Sequence, residues 1–221
     1  MKYITLLLLL VFAGACTRVT HDLTQYPPLT HSAEEILIRH KTRTPQKFKV
    51  LNSIVFHYRR QKMTALGYTE INAENKAFSV AGLNPMGMKL FQLSGEKGEI
   101  TTHHVIDQLA EFGDISEAVG IDVQRIYFNR VPSSLHYKVY ANRIEFFDRN
   151  ENSEYRYIFA GKDPVLVEKS YYEGGEKIWE IIYSNYSLIE GYLYPQTIRF
   201  NHKQYRYQLR ITMRELLEGP L

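Results

Sequence analysis

His103 and His104 are the one adjacent histidine pair in the chain. In a strand, neighbouring side chains point to opposite faces, so the pair makes a poor metal site and no metal is expected. No HExxH, CxxC, GxSxG or P-loop spacing occurs, and Gly95-Glu-Lys-Gly98 reads as a hairpin turn rather than a phosphate cradle. Glu168, Glu173, Glu176 and Glu180 are most simply strand-surface or turn charges. Cys16 is the sole cysteine, which excludes a disulfide within the chain. These residues give no catalytic group and no cofactor site, so the chain does not read as an enzyme.

The surroundings of Cys16 carry more information. Lys2 is a short positive segment, Ile4 to Phe12 is apolar, and Ala13-Gly14-Ala15 is a small-residue cleavage site directly before the cysteine. The apolar run falls well short of the roughly 20 residues that cross a bilayer, so residues 1–15 read as a signal peptide. The stretch resembles the lipobox of bacterial lipoproteins, in which the cysteine is acylated and becomes the new N-terminus. Ala13 stands where that motif usually has Leu, and simple secretion with cleavage after Ala15 is the alternative. Thr17 is not the Asp that typically retains lipoproteins at the inner membrane, so the resemblance implies the outer membrane.

Beyond Cys16 the chain is long enough for one domain with a sizeable core. Residues 16–30, with Pro27-Pro28, read as a polar tether and residues 31–221 as a single domain. The formal net charge is +3, with Lys and Arg interspersed among Asp and Glu. No basic block points to nucleic acid. Aromatic residues make up 13% of the chain, with 17 Tyr and 11 Phe, and these types favour strands.

Ser32-Ala-Glu-Glu35 is a capping box that starts a short helix over Ala33 to His40. Strands then dominate. Along Phe48 to Tyr58 the positions Phe48, Val50, Asn52, Ile54, Phe56 and Tyr58 share one face, a period of two. Similar runs cover 65–71, 78–82, 88–93 and 99–105. Asp114 can cap a helix whose residues Ile115, Ala118, Val119 and Ile126 fall at helical spacing, with Gly120 weakening it. Strand patterns resume around Val139 and over 143–148, 155–159, 165–172, 177–184, 192–200 and 205–213. In the last, Tyr205, Tyr207, Leu209, Ile211 and Met213 share one face.

The expectation is a mainly β (α+β) fold: a strongly curved antiparallel half-barrel of about 11 strands, with the mid-chain helix across its mouth. Its concave face is either a packed core or an apolar cavity. The residues expected to line that cavity are Phe56, Tyr58, Leu90, Tyr157, Phe159, Tyr207, Leu209 and Ile211. One turn stands out. Asn84-Pro85-Met86-Gly87 joins two strands and places a large hydrophobe at a hairpin tip, where it either tucks back or is offered to something apolar.

Together these features resemble the LolA/LolB superfamily. They are the lipobox, the N-terminal helix, the meander containing Ala81-Gly-Leu-Asn-Pro-Met-Gly87, and a late strand opening with Leu193-Tyr-Pro195-Gln-Thr-Ile198. Gly82-Leu-Asn-Pro-Met-Gly-Met-Lys-Leu-Phe-Gln-Leu93 and Asp122-Val-Gln-Arg-Ile-Tyr127 are similar to motifs of a proteobacterial lipoprotein family often encoded beside aryl polyene pigment genes. The resemblance implies an outer-membrane lipoprotein that receives a hydrophobic cargo, such as an acyl chain, a lipoprotein lipid or an aryl polyene lipid. A LolA-like periplasmic carrier would donate it, and the inner leaflet of the outer membrane would accept it. Pro85, Met86 and Gly87 match the tip that helps LolB insert cargo into the membrane. The competing expectation is a non-catalytic structural scaffold of an envelope assembly.

Overall fold

A computed structural model describes residues 21–111, 114–133 and 135–220. Cys16 and the segment 1–15 lie outside these residues, as does the start of the expected tether. Its remainder, from His21 to Thr30, already contacts the domain. Leu23 and Tyr26 pack against Ile158, Ala160 and Val167, and the Asn142 amide donates to the Leu23 carbonyl.

Twelve antiparallel strands form one unclosed, curved sheet. They are β1 (Lys47–Tyr58), β2 (Gln61–Asn72), β3 (Ala77–Leu83), β4 (Lys89–Glu96), β5 (Glu99–Val105), β6 (Tyr137–Val139), β7 (Arg143–Arg149), β8 (Ser153–Ala160), β9 (Val165–Glu173), β10 (Glu176–Ile189), β11 (Tyr192–His202) and β12 (Tyr207–Glu218). The order across the sheet is β5-β4-β3-β2-β1-β12-β11-β10-β9-β8-β7-β6. Each strand pairs with its sequence neighbour except at one seam, where β1 pairs with β12. The tight turns follow their residue types: Gly174 and Gly175, both with positive φ, close the β9–β10 hairpin.

Among the described residues, three α-helices join the sheet: α1 (Ala33–Arg43), α2 (Asp107–Ala110) and α3 (Ile115–Tyr127). The capping box of α1 is formed as the sequence predicts, with the Ser32 hydroxyl accepting from the Glu35 amide and the Glu35 carboxylate accepting from the Ser32 amide. The helix runs three residues past His40, and Thr44 caps it. The position of α3 follows from topology. Strands β5 and β6 are consecutive in sequence yet occupy opposite edges of the sheet, so their connection must cross the concave face. Asp114 caps α3 by accepting from the Glu117 amide. Gly120 is explained by the same crossing: Ile100 of β5 fills the space that a Cβ there would need, 2.6 Å away. The helix thus trades a little intrinsic stability for close contact with the sheet edge.

The core sits on the concave side, where Phe146, Phe159, Leu166, Ile181, Tyr183 and Phe200 are fully buried. Helix α1 covers this half, with the His40 ring edge-on to Phe159 at 4.9 Å and Phe159 edge-on to Phe146 at 5.6 Å. On the opposite face, Lys49 bridges Glu70 and Glu218 across three strands.

Candidate functional site

The concave face is packed over one half and open over the other. Strand β1 crosses from the first to the second: Phe48, Val50 and Asn52 are buried, whereas Ile54, Phe56 and Tyr58 line a cavity of about 780 Å³. That volume lies within the roughly 300–1,000 Å³ usual for small-molecule pockets. Register builds its wall. Ile54 pairs with Ala65 on β2 and Ile211 on β12; Phe56 pairs with Met63 and Leu209; Tyr58 pairs with Gln61 and Tyr207. Val80 and Phe91 extend the wall onto β3 and β4, and Ile115, Val119, Val123 and Ile126 of α3 roof it.

Five of the expected lining residues are in place: Phe56, Tyr58, Tyr207, Leu209 and Ile211. Three are not. Leu90 is buried, and its neighbour Phe91 lines the cavity instead, because consecutive strand residues face opposite sides. Tyr157 and Phe159 lie inward as expected, but on β8, where α1 and Phe146 already occupy the concave space. The roof residues of α3 were legible as a helical apolar stripe. Met63 and Ala65 show the alternation of β2, but nothing in sequence places them and β12 on the two sides of β1.

One carboxylate interrupts the apolar roof. Asp122 accepts from the Tyr207 hydroxyl and pairs with Arg125 at 3.0 Å. Burial pushes its carboxyl up to about 6, against the pull of the Tyr207 hydroxyl and the Arg125 charge. Its signal in the sequence was an acid on the inward face of the helix.

The C-terminal end of α3 is fastened to the packed half. The Tyr183 hydroxyl donates to the Ile126 carbonyl at 2.7 Å. Lys169, 2% exposed, donates to the carbonyls of Arg125 and Phe128. An ammonium at that end satisfies carbonyls the helix leaves unpaired and complements its dipole. Burial, reinforced by the charges of Arg130 and Arg125, lowers the Lys169 amine to about 7.

The mouth lies at the end marked by Tyr58, Gln61, Lys62 and Tyr205. Strand directions place the β1–β2, β3–β4 and β11–β12 turns together at that end. The β3–β4 turn is the Asn84–Gly87 tip. The Asn84 side chain accepts from the Met86 and Met88 amides, and Gly87 has φ +84°. This rigid turn holds Met86 89% exposed, so it does not tuck back. His103 and His104 sit on edge strand β5, where the ring of His103 meets the Ser94 hydroxyl. Among the described residues, no group of three His, Cys, Asp or Glu is placed to hold a metal ion.

Residues 50–215 match the model of a family described as "Protein of unknown function (DUF3261)". No curated protein matches the chain. Among solved structures, the chain is similar to a LolA superfamily protein from Nitrosomonas europaea. Identity is 14% and the TM-score 0.55, over 85% of this chain and 93% of that one. It is also similar to an outer membrane lipoprotein-sorting protein domain from Vibrio parahaemolyticus, with 10% identity and a TM-score of 0.50, over 83% and 91%. At these identities the likeness establishes the fold, a LolA-like open barrel.

Proposed function

The chain belongs to the DUF3261 family, and from its open half we propose that it is a lipid-anchored carrier that holds a hydrophobic cargo and passes it to the outer membrane. The cavity of about 780 Å³ under a helical roof carries this reading. An apolar chain gains about 0.8 kcal/mol for each CH₂ that leaves water, so such a cavity can extract an acyl tail without covalent chemistry. Release needs a second apolar destination. Met86 stands exposed at the same end as the mouth, where Arg59, Arg60 and Lys62 are also exposed. In this reading Pro85, Met86 and Gly87 form the tip that enters the bilayer, and the basic turn faces anionic headgroups.

Acylation of Cys16 would anchor the protein to the inner leaflet of the outer membrane, with more than one chain needed for firm attachment. A periplasmic LolA-like protein would be the donor. The cargo would be an acyl chain, a lipoprotein lipid or an aryl polyene lipid, and no catalysis is involved. The scaffold reading retains one supporting observation: on and beside edge strand β6, Leu135 and Val139 are each 64% exposed, an apolar edge that fits a protein partner.

The test is to purify the Cys16→Ser protein gently from its host's periplasm and identify co-purifying lipids by mass spectrometry. A stoichiometric acylated or polyene species is expected. A protein free of lipid that also fails to take up a fluorescent fatty acid would leave the scaffold reading standing.

A further inference from the structure

The large cavity changes character along its length. Among the described residues, its charged lining groups are Lys62 and Asp122, and both belong to the mouth. Lys62 pairs with His57 next to Tyr58, and Asp122 is bonded to Tyr207, whose strand partner is Tyr58. The middle is apolar. At the far end the wall becomes polar again without becoming charged, for Asn52, Thr69 and Tyr127 line it there. Asn52 stands six positions from Tyr58 along β1, which at the rise of a strand is about 20 Å from the mouth. Thr69 lies a step deeper, since it pairs with Val50. The Tyr127 ring meets that of Phe48, deeper still on β1, at 5.8 Å.

These polar groups are out of keeping with the faces they occupy. Asn52 interrupts the inward series Phe48, Val50, Ile54 and Phe56 of β1, and Thr69 stands between Ala65 and Ile71 on the inward face of β2. Asn52 and Thr69 are each 3% exposed. Burying an amide or a hydroxyl costs free energy unless its hydrogen bonds are made. What the cluster makes for itself is modest. The Asn52 amide donates to the Thr69 hydroxyl over a long 3.4 Å, and the Asn52 side chain also hydrogen-bonds the Tyr127 hydroxyl. A primary amide can form about four hydrogen bonds and a hydroxyl about three, so donors and acceptors are left over at the cavity wall.

The chemistry of the far end limits what can sit there. Arg130 is buried behind it, but it does not line the cavity, and none of the groups that line that end is a cation. A carboxylate or phosphate would lose its hydration there without gaining a counter-charge. A methyl end would leave the spare polar groups unmet. An uncharged group that both donates and accepts satisfies them.

We propose that Asn52, Thr69 and Tyr127 form a binding site for a hydroxyl at the buried end of a single-chain ligand. The chain runs through the apolar middle, and its other end stays at the mouth. This assignment rests on the carrier reading and specifies its cargo class, a long-chain amphiphile hydroxylated at the end remote from its head.

The experiment is displacement of cis-parinaric acid from the Cys16→Ser protein at pH 8 by straight-chain acids from dodecanoic to octadecanoic acid, each compared with its ω-hydroxy derivative. The carboxylate stays at the mouth in both, so the pair differs only at the buried end. In a wholly apolar pocket the added hydroxyl would weaken binding, because it would be buried unpaired. Here, at the chain length that spans the cavity, the hydroxy acid should bind about two- to tenfold tighter than the plain acid, the size of one net hydrogen bond. Asn52→Leu and Thr69→Val should abolish that gain while leaving the plain acid bound. Should Asn52→Leu fail to fold, Thr69→Val and the ratio in the parent protein still decide. Equal or weaker binding of the hydroxy acid at every length would overturn the hydroxyl site while leaving the carrier reading intact, as would a gain that survives both substitutions. Binding of neither kind of acid, nor of the probe, would overturn both.

Discussion

Phe48 and Phe56 lie on one face of one strand, yet the first is 3% exposed and the second borders a cavity. The difference is not in the residues of the sheet, which are apolar and aromatic along both halves. It is in what the second layer supplies. Over β7–β11, helix α1 inserts Ile36 and His40, and Phe146, Phe159, Phe200 and Trp179 close the remaining space. Over β1–β4 and β12 the second layer is α3, whose Ile115, Ala118, Val119, Val123 and Ile126 line the space without filling it. A half-barrel keeps an open space where its covering helix does not fill the concavity beneath it.

That contrast can be broken most directly by truncation. Phe159→Ala should cost about 3–5 kcal/mol, because its neighbours cannot collapse onto the gap. Phe56→Ala should cost less than about 1.5 kcal/mol, since it enlarges a space that is already there. Urea unfolding of the two variants decides the matter, and equal losses would erase the distinction between the halves.

Polar substitution on β12 comes next. Leu209→Asp places a carboxylate on the apolar wall and should cost about 1–3 kcal/mol, with loss of fluorescent fatty-acid binding. Arg210→Asp, on the exposed face, should leave both stability and binding nearly unchanged. A binding loss in Arg210→Asp alone would reverse the register.

Acid should act on the two halves with opposite signs. In the packed half, burial and the Arg130 charge hold His40 at about 3, below its free value of 6.5. The stability this site contributes is whole above pH 6.5 and is lost as pH falls toward 3. In the open half, Asp122 titrates near 6 rather than 3.8, so the folded state takes up a proton first and gains stability as pH falls through that window. Each contribution amounts to about 1–2 kcal/mol between pH 7 and pH 5. Denaturant unfolding at both pH values should show Asp122→Asn losing more stability on acidification than the parent, and His40→Gln losing less. Identical slopes in all three proteins would contradict the assignment.

The smallest effect on stability belongs to Met86→Glu, expected within about 0.5 kcal/mol because the side chain touches solvent. Its effect should appear instead in the transfer of a bound fluorescent fatty acid to vesicles, which should slow. Unchanged transfer would make the tip an ordinary turn.

Much of the sheet was legible because alternation is a local signal. The expected strands all form, the β5 bounds coincide with 99–105, and the twelve strands among the described residues agree with the expected number of about eleven. Alternation reports which face a residue shares, not what covers that face. Tyr157 and Phe159 were for that reason assigned to the cavity, although α1 packs where they point. The pairing of β1 with β12 was equally invisible, since nothing in either strand names its partner. Arg130 was missed for another reason: a single arginine after a helix reads as a surface residue, and its burial depends on the backward turn at Asn129.

The β1–β12 seam has a consequence for how the molecule is made. Every other pairing joins strands adjacent in the chain and can form as a local hairpin, whereas Phe56 must find Leu209 roughly 150 positions away. Both half-sheets can therefore assemble early, and their union carries the loop-closure entropy. Since β12 supplies Tyr207, Leu209 and Ile211 to the wall, no enclosed space exists until that union is complete. A partly folded chain therefore offers no such cavity, and the space forms together with the joining of the two half-sheets.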